Sequence, residues 1–505
     1  MRLLVALFVL FAPAARGEVL LVPGAADKAR WDREFDGAAP RKGPAVPVMP
    51  DLTPDIRPKK TANLPLIPAG LLAAARENAA SSVWPGYEPL AQPIQIFDGA
   101  GGAFLINHPA PPAGYRPLRQ GGITVHHATD VTPPFNGPFL FHTPLGGEDT
   151  FAIKSEAGWK ADRTVATVVH ERFHVFQETA FTMKHFPSRY PKADGTDVAL
   201  ANLANAALAA AVDALRTPDA RRYARMFIAV RNARRQANPQ GCADVEDGQE
   251  RLEGMAHYAE LKLTGGPGKV MRGTDKLIGR LKNPVEFGQM SKWRYYSTGA
   301  GQGYLLDAAG TAGWKSAVAA GQAVFSQMRA AYPVAPADEA ALVAAAKAEF
   351  DFPALLARSN AELSGELRAI AEALEAFETS PLTHVRISAP KGVDGSFSFS
   401  KNFVLNDGSW LMPAVNSFEA AGPGYLLRLT KIDMINRSDG DEDFLLPADA
   451  VIRIDGAPAR PADGETFFES LEITGTGLVL KAELPGRLIK NAAGLKIDFP
   501  GRPQS

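Results

Sequence analysis

The residues best suited to chemistry lie at positions 168–174, where the sequence VVHERFH places three residues between two histidines. On a helix, His170 and His174 are one turn apart, so both imidazoles project from the same face and can bind one metal ion. Glu171 lies about 100° round the helix from His170, where its carboxylate can reach a water bound to that metal. The pattern predicts a hydrolytic site with one Zn²⁺ ion.

A catalytic zinc needs a third protein ligand, and Glu253 in the sequence LEGMAHY is the candidate that we favour. Gly254 costs a helix about 0.5–1 kcal/mol relative to alanine. It therefore indicates that this helix lies very close to another element, and close approach to the histidine helix would bring Glu253 to the metal. Alternative ligands remain nearby, namely His257, Glu246, Glu250 and Glu260. For His257, a hydrogen-bonding role is favoured over ligation.

These residues resemble the gluzincin branch of zinc metallopeptidases, which includes thermolysin and the zinc aminopeptidases. In the aminopeptidases the third ligand is a glutamate in an Asn-Glu-Gly-Phe-Ala-like segment, which this sequence matches at Glu253, Gly254 and Ala256. The spacing differs from that branch, because Glu253 follows His174 by some eighty residues here. The additional length contains Ala-rich helical patterns, which indicates a folded insertion.

The resemblance implies that zinc is bound by His170, His174 and Glu253. It also implies that Glu171 is the general base, which takes a proton from zinc-bound water as the water attacks a peptide carbonyl. Tyr296, in the sequence YYSTG, is similar to the tyrosine of the Tyr-x-x-Gly helix in the aminopeptidases. The match assigns to Tyr296 the stabilisation of the oxyanion.

The histidine helix is expected to follow a small mixed or antiparallel sheet. Short apolar runs between turn residues predict its strands at 93–97, 103–107, 123–126, 139–142 and 150–154. The sequence DGAGG predicts a hairpin between the first two. The resemblance implies that 150–154 is the edge strand that pairs with an extended substrate. For the helix itself, Asp162 or Thr164 is the expected N-cap.

The rest of the chain divides into a helical part and a strand-rich part. Apolar periodicity predicts helices at 68–78, 199–215, 220–236, 340–349 and 354–377. Alternating or β-branched runs predict strands at 384–387, 397–405, 425–432, 450–454 and 478–483. The predicted fold class is therefore α+β, with a zincin-like catalytic domain at 61–380 (a small mixed sheet and a mostly helical lobe) and a β-sandwich-like domain at 381–505.

The first residues predict export from the cytoplasm. Arg2, an apolar run and the small residues Ala15 and Gly17 are typical of a signal peptide at 1–17, followed by an extended arm at 18–60. We therefore expect a periplasmic or secreted protein with no stable membrane insertion after cleavage. The single cysteine, Cys242, excludes an intramolecular disulfide and a thiolate-rich metal site.

Composition adds no sign of a nucleic-acid partner, since the formal net charge is -1. The leading hypothesis is an exported zinc peptidase that acts on a peptide or protein substrate. The alternatives are a zinc hydrolase of a non-peptide substrate and a non-catalytic binding or assembly protein. In the second alternative, a partner would dock through the C-terminal β domain.

Overall fold

A computed structural model describes residues 66–499 of the chain, apart from several short segments. The segments left out are 99–100, 119–121, 134–138, 156–159, 183–184, 188–189, 191–192, 239–241, 265–269, 287–289, 291, 391, 399–401 and 406–408. The predicted signal peptide and arm lie outside the described residues. The protein is mixed α+β, and the described residues form two compact units, 66–360 and 361–499.

The first unit contains a six-stranded mixed sheet. Its strands are β1 (Ile94–Phe97), β2 (Ala103–Ile106), β3 (Arg116–Leu118), β4 (Val125–Ala128), β5 (Phe139–Leu145) and β6 (Glu148–Lys154). Their order is β3-β4-β2-β1-β6-β5, and of the pairs that the described residues form within this sheet only β1–β6 is parallel. The predicted β1–β2 hairpin is confirmed.

The edge strand next to β6 is β5, so the expectation that 150–154 forms the edge is wrong. β6 is buried between β1 and β5, and its central residues from Thr150 to Ile153 are inaccessible to solvent. A continuous apolar run marks a strand buried on both faces but does not reveal its neighbours. The β5–β6 pairing shifts between Leu140 and Thr143, so Phe141 and His142 both stand opposite Phe151 in a β-bulge.

Helices form the remainder of the first unit. They are α1 (Leu66–Ser81), α2 (Ala161–Ala180), α3 (Gly195–Asp213), α4 (Asp219–Ala237), α5 (Cys242–Gln249), α6 (Met255–Thr264), α7 (Val270–Lys282), α8 (Arg294–Ala308), α9 (Trp314–Ala319), α10 (Val324–Ala331) and α11 (Pro336–Glu349). A π-helical turn, Glu250–Gly254, joins α5 to α6. Within the described residues, α3 alone has the length and apolarity to cross a membrane, and 83% of its most apolar window is buried inside the protein.

α2 carries the histidine motif, and its apolar face holds it in the core. Val165, Val168, Val169 and Phe173 are buried on this face, as the sequence pattern predicts. The helix packs against α1 and α6. Its N-cap is Lys160 and no side chain caps it, so the expected capping by Asp162 or Thr164 is wrong. Thr164 is buried instead, and its hydroxyl is hydrogen-bonded to Ser155 (3.1 Å).

The second unit is rich in strands. α12 (Phe352–Glu378) runs across the division between the units, whereas the sequence predicts a boundary after this helix, at residue 380. The strands are β7 (His384–Ser388), β8 (Asp394–Ser398), β9 (Phe403–Val404), β10 (Trp410–Val415), β11 (Ser417–Gly422), β12 (Tyr425–Leu429), β13 (Ile432–Asn436), β14 (Glu442–Leu445), β15 (Val451–Ile454), β16 (Ala457–Ala459), β17 (Gly464–Phe468), β18 (Leu471–Gly475), β19 (Leu478–Ala482), β20 (Gly486–Asn491) and β21 (Gly494–Asp498).

These strands form two sheets, with orders β17-β20-β21-β7-β14-β13-β10-β9 and β16-β15-β18-β19-β12-β11-β8. One hydrophobic core draws on both of them: Val385 and Met434 come from the first sheet, and Leu427 and Ile473 from the second. The single strand predicted at 425–432 is interrupted, because Lys431 adopts a positive φ of 58° and the chain turns from β12 into β13.

Candidate metal centre

The two motif histidines and Glu253 converge on a common point. Oε2 of Glu253 lies 3.4 Å from Nε2 of His170 and 3.2 Å from Nε2 of His174. The ligating atoms of all three side chains lie within 4.8 Å of one another. His170 and Glu253 are buried, and His174 is only slightly exposed. The structure therefore brings together all three metal ligands predicted from the sequence.

The spacing of these atoms fits a tetrahedral zinc site. With Zn–N and Zn–O distances near 2.0–2.1 Å, two ligand atoms at tetrahedral angles are about 3.3 Å apart. The observed separations of 3.2 and 3.4 Å match that value. The donor set of two imidazoles and one carboxylate is also a usual one for catalytic zinc. The residues present therefore fit a zinc ion.

Glu260 determines which nitrogen of His170 is available as a ligand. Oε2 of Glu260 lies 3.2 Å from Nδ1 of His170 and 2.9 Å from Nδ1 of His257. Burial would raise the pKa of Glu260, but His257 and His170 lower it well below the usual range, so the carboxylate is ionised and only accepts. His170 therefore donates from Nδ1, which leaves Nε2 for the metal.

His170, His257 and Glu260 form a second group with metal-ligating atoms close together. In this group the carboxylate already accepts from both imidazoles, and all three side chains are buried. The alternatives that Glu260 or His257 replaces Glu253 as third ligand are not supported by this geometry. Glu260 instead accepts a hydrogen bond from His170, and His257 holds Glu260 by a second one.

Gln177 orients His174 in a comparable way. Its Nε2 donates to the backbone carbonyls of Arg251 (3.0 Å) and Leu252 (3.1 Å), which fixes the orientation of the amide. Its Oε1 then faces Nδ1 of His174 at 2.8 Å and accepts a hydrogen bond from it. Nε2 of His174 is thereby directed at Glu253. The same glutamine connects α2 to the turn that carries Glu253.

Glu253 lies in the π-helical turn, a feature that the sequence analysis did not predict. Single π-helical turns within α-helices are frequent at functional sites. Gly254 allows close approach, but to α8 and not to the histidine helix as expected. A Cβ atom on Gly254 would lie 2.7 Å from Cα of Gly299 and 2.9 Å from the carbonyl oxygen of Tyr295. Backbone contact with α8 therefore fixes the turn beside Glu253.

Glu246 and Glu250 are not available as ligands, because buried arginines bind both of them. Glu250 accepts from Arg231 (2.7 Å) and from the hydroxyl of Thr298 (2.6 Å). Glu246 is fully buried and pairs with four arginines: Arg231, Arg234, Arg235 and Arg294. Arg231 and Thr298 thus hold Glu250, the first residue of the π-helical turn, while the arginines around Glu246 hold the helix that precedes it.

Glu171 is half-buried beside the ligands, and no hydrogen bond within the described part of the chain holds its carboxylate. Burial raises the pKa of Glu171, although His170 and His174 act against this shift. A carboxylate with a raised pKa and a free lone pair suits proton transfer near neutral pH. This position is compatible with the role of base predicted for Glu171.

Tyr296 also lies at the site. Its ring stacks on that of His170 with centroids 5.5 Å apart and an interplanar angle of 10°. Burial, and then the neighbouring charge of Glu253, raise the pKa of Tyr296 well above its usual value. The predicted oxyanion donor therefore lies beside the predicted third ligand in this structure.

Lys292 is a site residue that the sequence analysis missed. Its Nζ lies 3.1 Å from Oε1 of Glu253, the carboxylate oxygen that does not face the histidines. Burial alone would raise the pKa of Glu253, but Lys292 and the two histidines lower it well below the usual range. The sequence did hold one signal for Lys292, because it precedes Tyr296 by four residues, which is the spacing of neighbours on one helical face.

The bulge in β5 faces the C-terminal half of α2. The ring of Phe141 lies 6.4 Å from that of His174. His142 lies between two carboxylates, with Nδ1 2.8 Å from Asp149 and Nε2 2.9 Å from Glu178. Glu178 of α2 therefore supports the edge strand.

No protein-family model, curated protein or solved structure that we compared with the chain matches it. The evidence on function is therefore the arrangement of its own residues.

Proposed function

We propose that the protein is a zinc-dependent hydrolase of the peptidase kind with a gluzincin-like site. The observation that carries this proposal is the convergence of His170, His174 and Glu253 at the separations of a tetrahedral zinc site. Glu171, on the same helix, offers the base that hydrolysis requires. A protein that uses zinc only for structure or binding has no need of such a base.

Each side chain at the site has a distinct part in this chemistry. A zinc ion bound there would supply a Lewis acid that polarises the scissile carbonyl and acidifies the attacking water. Glu171 accepts the proton of that water and later donates it to the leaving amine. Tyr296 keeps its proton because of burial, so its hydroxyl is a donor for the negative charge that develops on the carbonyl oxygen.

An extended peptide is the substrate class that the surroundings favour. β5 lies at the edge of the sheet among the described strands, and it packs against α2. An exposed edge offers unpaired backbone N–H and C=O groups, to which an extended peptide can add as a further strand. Non-peptide substrates would make no use of this edge.

Export and partner binding are further parts of the proposal. The signal-like sequence at 1–17 supports a periplasmic or secreted location. There the enzyme would meet peptide or protein substrates. The strand-rich unit, 361–499, has its own core and is the part proposed to bind a partner.

The test compares the wild-type protein with Glu171→Gln, a variant of nearly equal size that lacks a base. We expect about one zinc ion per chain in both proteins, measured by elemental analysis after dialysis. We expect hydrolysis of an unstructured protein substrate by the wild type only. His174→Leu is the control that loses both zinc and activity.

Two results would contradict the proposal in different ways. If neither the wild type nor Glu171→Gln retains zinc, the metal site is wrong. If both retain zinc and the wild type hydrolyses neither peptides nor other amides, the site is one of binding and not of catalysis.

A further inference from the structure

A chain of buried hydrogen bonds extends from the metal ligand His170 to α7. Nδ1 of His170 and Nδ1 of His257 both face Oε2 of Glu260, at 3.2 and 2.9 Å. On its other side, Nε2 of His257 faces the guanidinium of Arg280. His170, His257 and Glu260 are all buried, while Arg280 is half-buried. Four side chains from three helices thus form one continuous path.

Which group donates and which accepts in each of these hydrogen bonds follows from Arg280, the last residue of the path. A guanidinium only donates, so Nε2 of His257 must accept and carries no proton. His257 then has its proton on Nδ1, and it donates that proton to Glu260. An ionised carboxylate only accepts, so His170 must also donate from Nδ1. The remaining nitrogen of His170, Nε2, is the one that faces His174 and Glu253.

We propose that Arg280 and His257 are positioning residues for the metal centre, which act through Glu260 to fix the tautomer and ring orientation of His170. Neither residue touches the metal position itself. This inference rests on the proposed function, because it concerns the metal site on which that function depends. The inference goes beyond the proposed function, because it states that α7, some hundred residues further along the chain, sets the orientation of the first histidine ligand.

The alternative for His257 is an isolated buried histidine that only fills space. Such a residue would be satisfied by either tautomer, and either ring nitrogen could face Glu260. Here the two nitrogens have partners of opposite requirement, a donor-only guanidinium on one side and an acceptor-only carboxylate on the other. These hydrogen bonds therefore require one tautomer of His257, with the proton on Nδ1, and this can be measured. Burial lowers the pKa of His257 to about 4, so the ring is neutral at pH 7 and has a defined tautomer.

The expected effect on metal binding follows from the loss of the donor that Arg280 offers to His257. Without Arg280, His257 can place its proton on Nε2 and cease to donate to Glu260. The carboxylate then has one hydrogen bond fewer to hold it against His170. Removal of such outer partners typically reduces metal affinity by about 10–100-fold.

The test uses three variants on α7. Arg280→Met removes the donor but keeps a long side chain, and Arg280→Lys keeps a side chain that only donates. Lys276→Met removes an exposed charge one turn away on the same helix and is the matched control. Zinc dissociation constants are measured by competition with a chromophoric chelator. We expect about tenfold weaker binding in Arg280→Met, and binding close to wild type in Arg280→Lys and Lys276→Met.

A second measurement, long-range ¹H–¹⁵N NMR of the histidine rings in metal-free protein, reads the tautomer directly. We expect His257 to be protonated on Nδ1 in the wild type and in Arg280→Lys. An Nε2 proton in the wild type would overturn the inference even if Arg280→Met did not fold. Unchanged zinc affinity in a folded Arg280→Met would also overturn it. Absence of zinc from the wild type would instead overturn the proposed function, and the tautomer of His257 would still test the chain of hydrogen bonds.

Discussion

Tyr296 is placed where it could serve either of two functions, stabilisation of the oxyanion or support of Glu253. Its ring stacks on one face of His170, and the neighbouring charge of Glu253 helps to raise the pKa of its hydroxyl. A donor in this place can stabilise negative charge on a substrate, and it can also hold a ligand carboxylate. Loss of the first role would lower kcat, and loss of the second would lower zinc content, so one substitution can separate the two roles.

At the scale of this residue, Tyr296→Phe removes the hydroxyl and keeps the stacked ring. We expect kcat to fall by about 10²–10³-fold, the usual cost of one oxyanion donor. KM and zinc content should change little. Steady-state kinetics on a peptide substrate, with parallel zinc analysis, measures this.

Tyr295→Phe is the matched control for that substitution. The hydroxyl of Tyr295 is buried and donates to the backbone carbonyl of Met290 (2.7 Å). Its loss should lower the free energy of unfolding by about 1 kcal/mol and leave kcat unchanged. Full activity in Tyr296→Phe would remove this residue from the mechanism, and loss of zinc would assign it to the support of Glu253.

Spacing along the chain predicts some of these residues and not others. His170, His174 and Gln177 follow from the 3.6-residue period of one helix, which fixes their common face. Lys292 reaches Glu253 from the segment just before α8, and its spacing of four residues from Tyr296 was the one local signal for it. Arg280 reaches His257 from α7, and its contact depends on how the helices cross, which no local pattern of residue types encodes.

At the scale of elements, the glycine contact between the π-helical turn and α8 is the closest approach near the site. Gly254→Ala would place Cβ against Cα of Gly299 and the carbonyl of Tyr295, and backbone atoms have no rotamer through which to yield. We expect a loss of about 1–3 kcal/mol in the free energy of unfolding. Chemical denaturation measures it, and zinc affinity should fall as the helices separate.

Gly279→Ala is the control for that prediction, because a Cβ at Gly279 in α7 would meet no atom within 4 Å. Alanine is the better helix former there, so stability should rise by up to about 1 kcal/mol. Equal stability of the two variants would show that the glycine contact is not required.

The bounds of the helices and strands were predicted better than the order in which the strands pair. Apolar content and periodicity located α3, α4 and β1 to within a few residues, because burial of an element requires apolar residues along it. Strand order left no such record, and β5 rather than β6 is at the edge. The π-helical turn was also not predicted, since the buried arginines that brace it come from α4 and α8.

At the scale of the whole molecule, the described chain forms two compact units, each with its own hydrophobic core. The three proposed metal ligands all belong to the unit at 66–360. The coarse α+β arrangement, helices followed by a strand-rich region, was predictable from the change in sequence texture near residue 381.

Separate cores predict that zinc stabilises one unit only. In calorimetry we expect two unfolding transitions, of which one shifts upward with zinc. At a free zinc concentration one hundred times Kd, the stabilisation is about 2.7 kcal/mol. His174→Leu is the control and should show no shift. Movement of both transitions, or of neither in the wild type, would contradict the prediction.

The contact between Gly254 and Gly299 also has an entropic consequence. Glycine loses more conformational freedom on folding than any other residue, and it has no side chain to order afterwards. The ordering of Glu253 relative to α8 is therefore complete once the chain has folded. Little conformational entropy should then be lost when a metal ion binds. The enthalpy and entropy of binding would come from the ion and from the protons and water that it displaces, with almost no contribution from ordering of the protein.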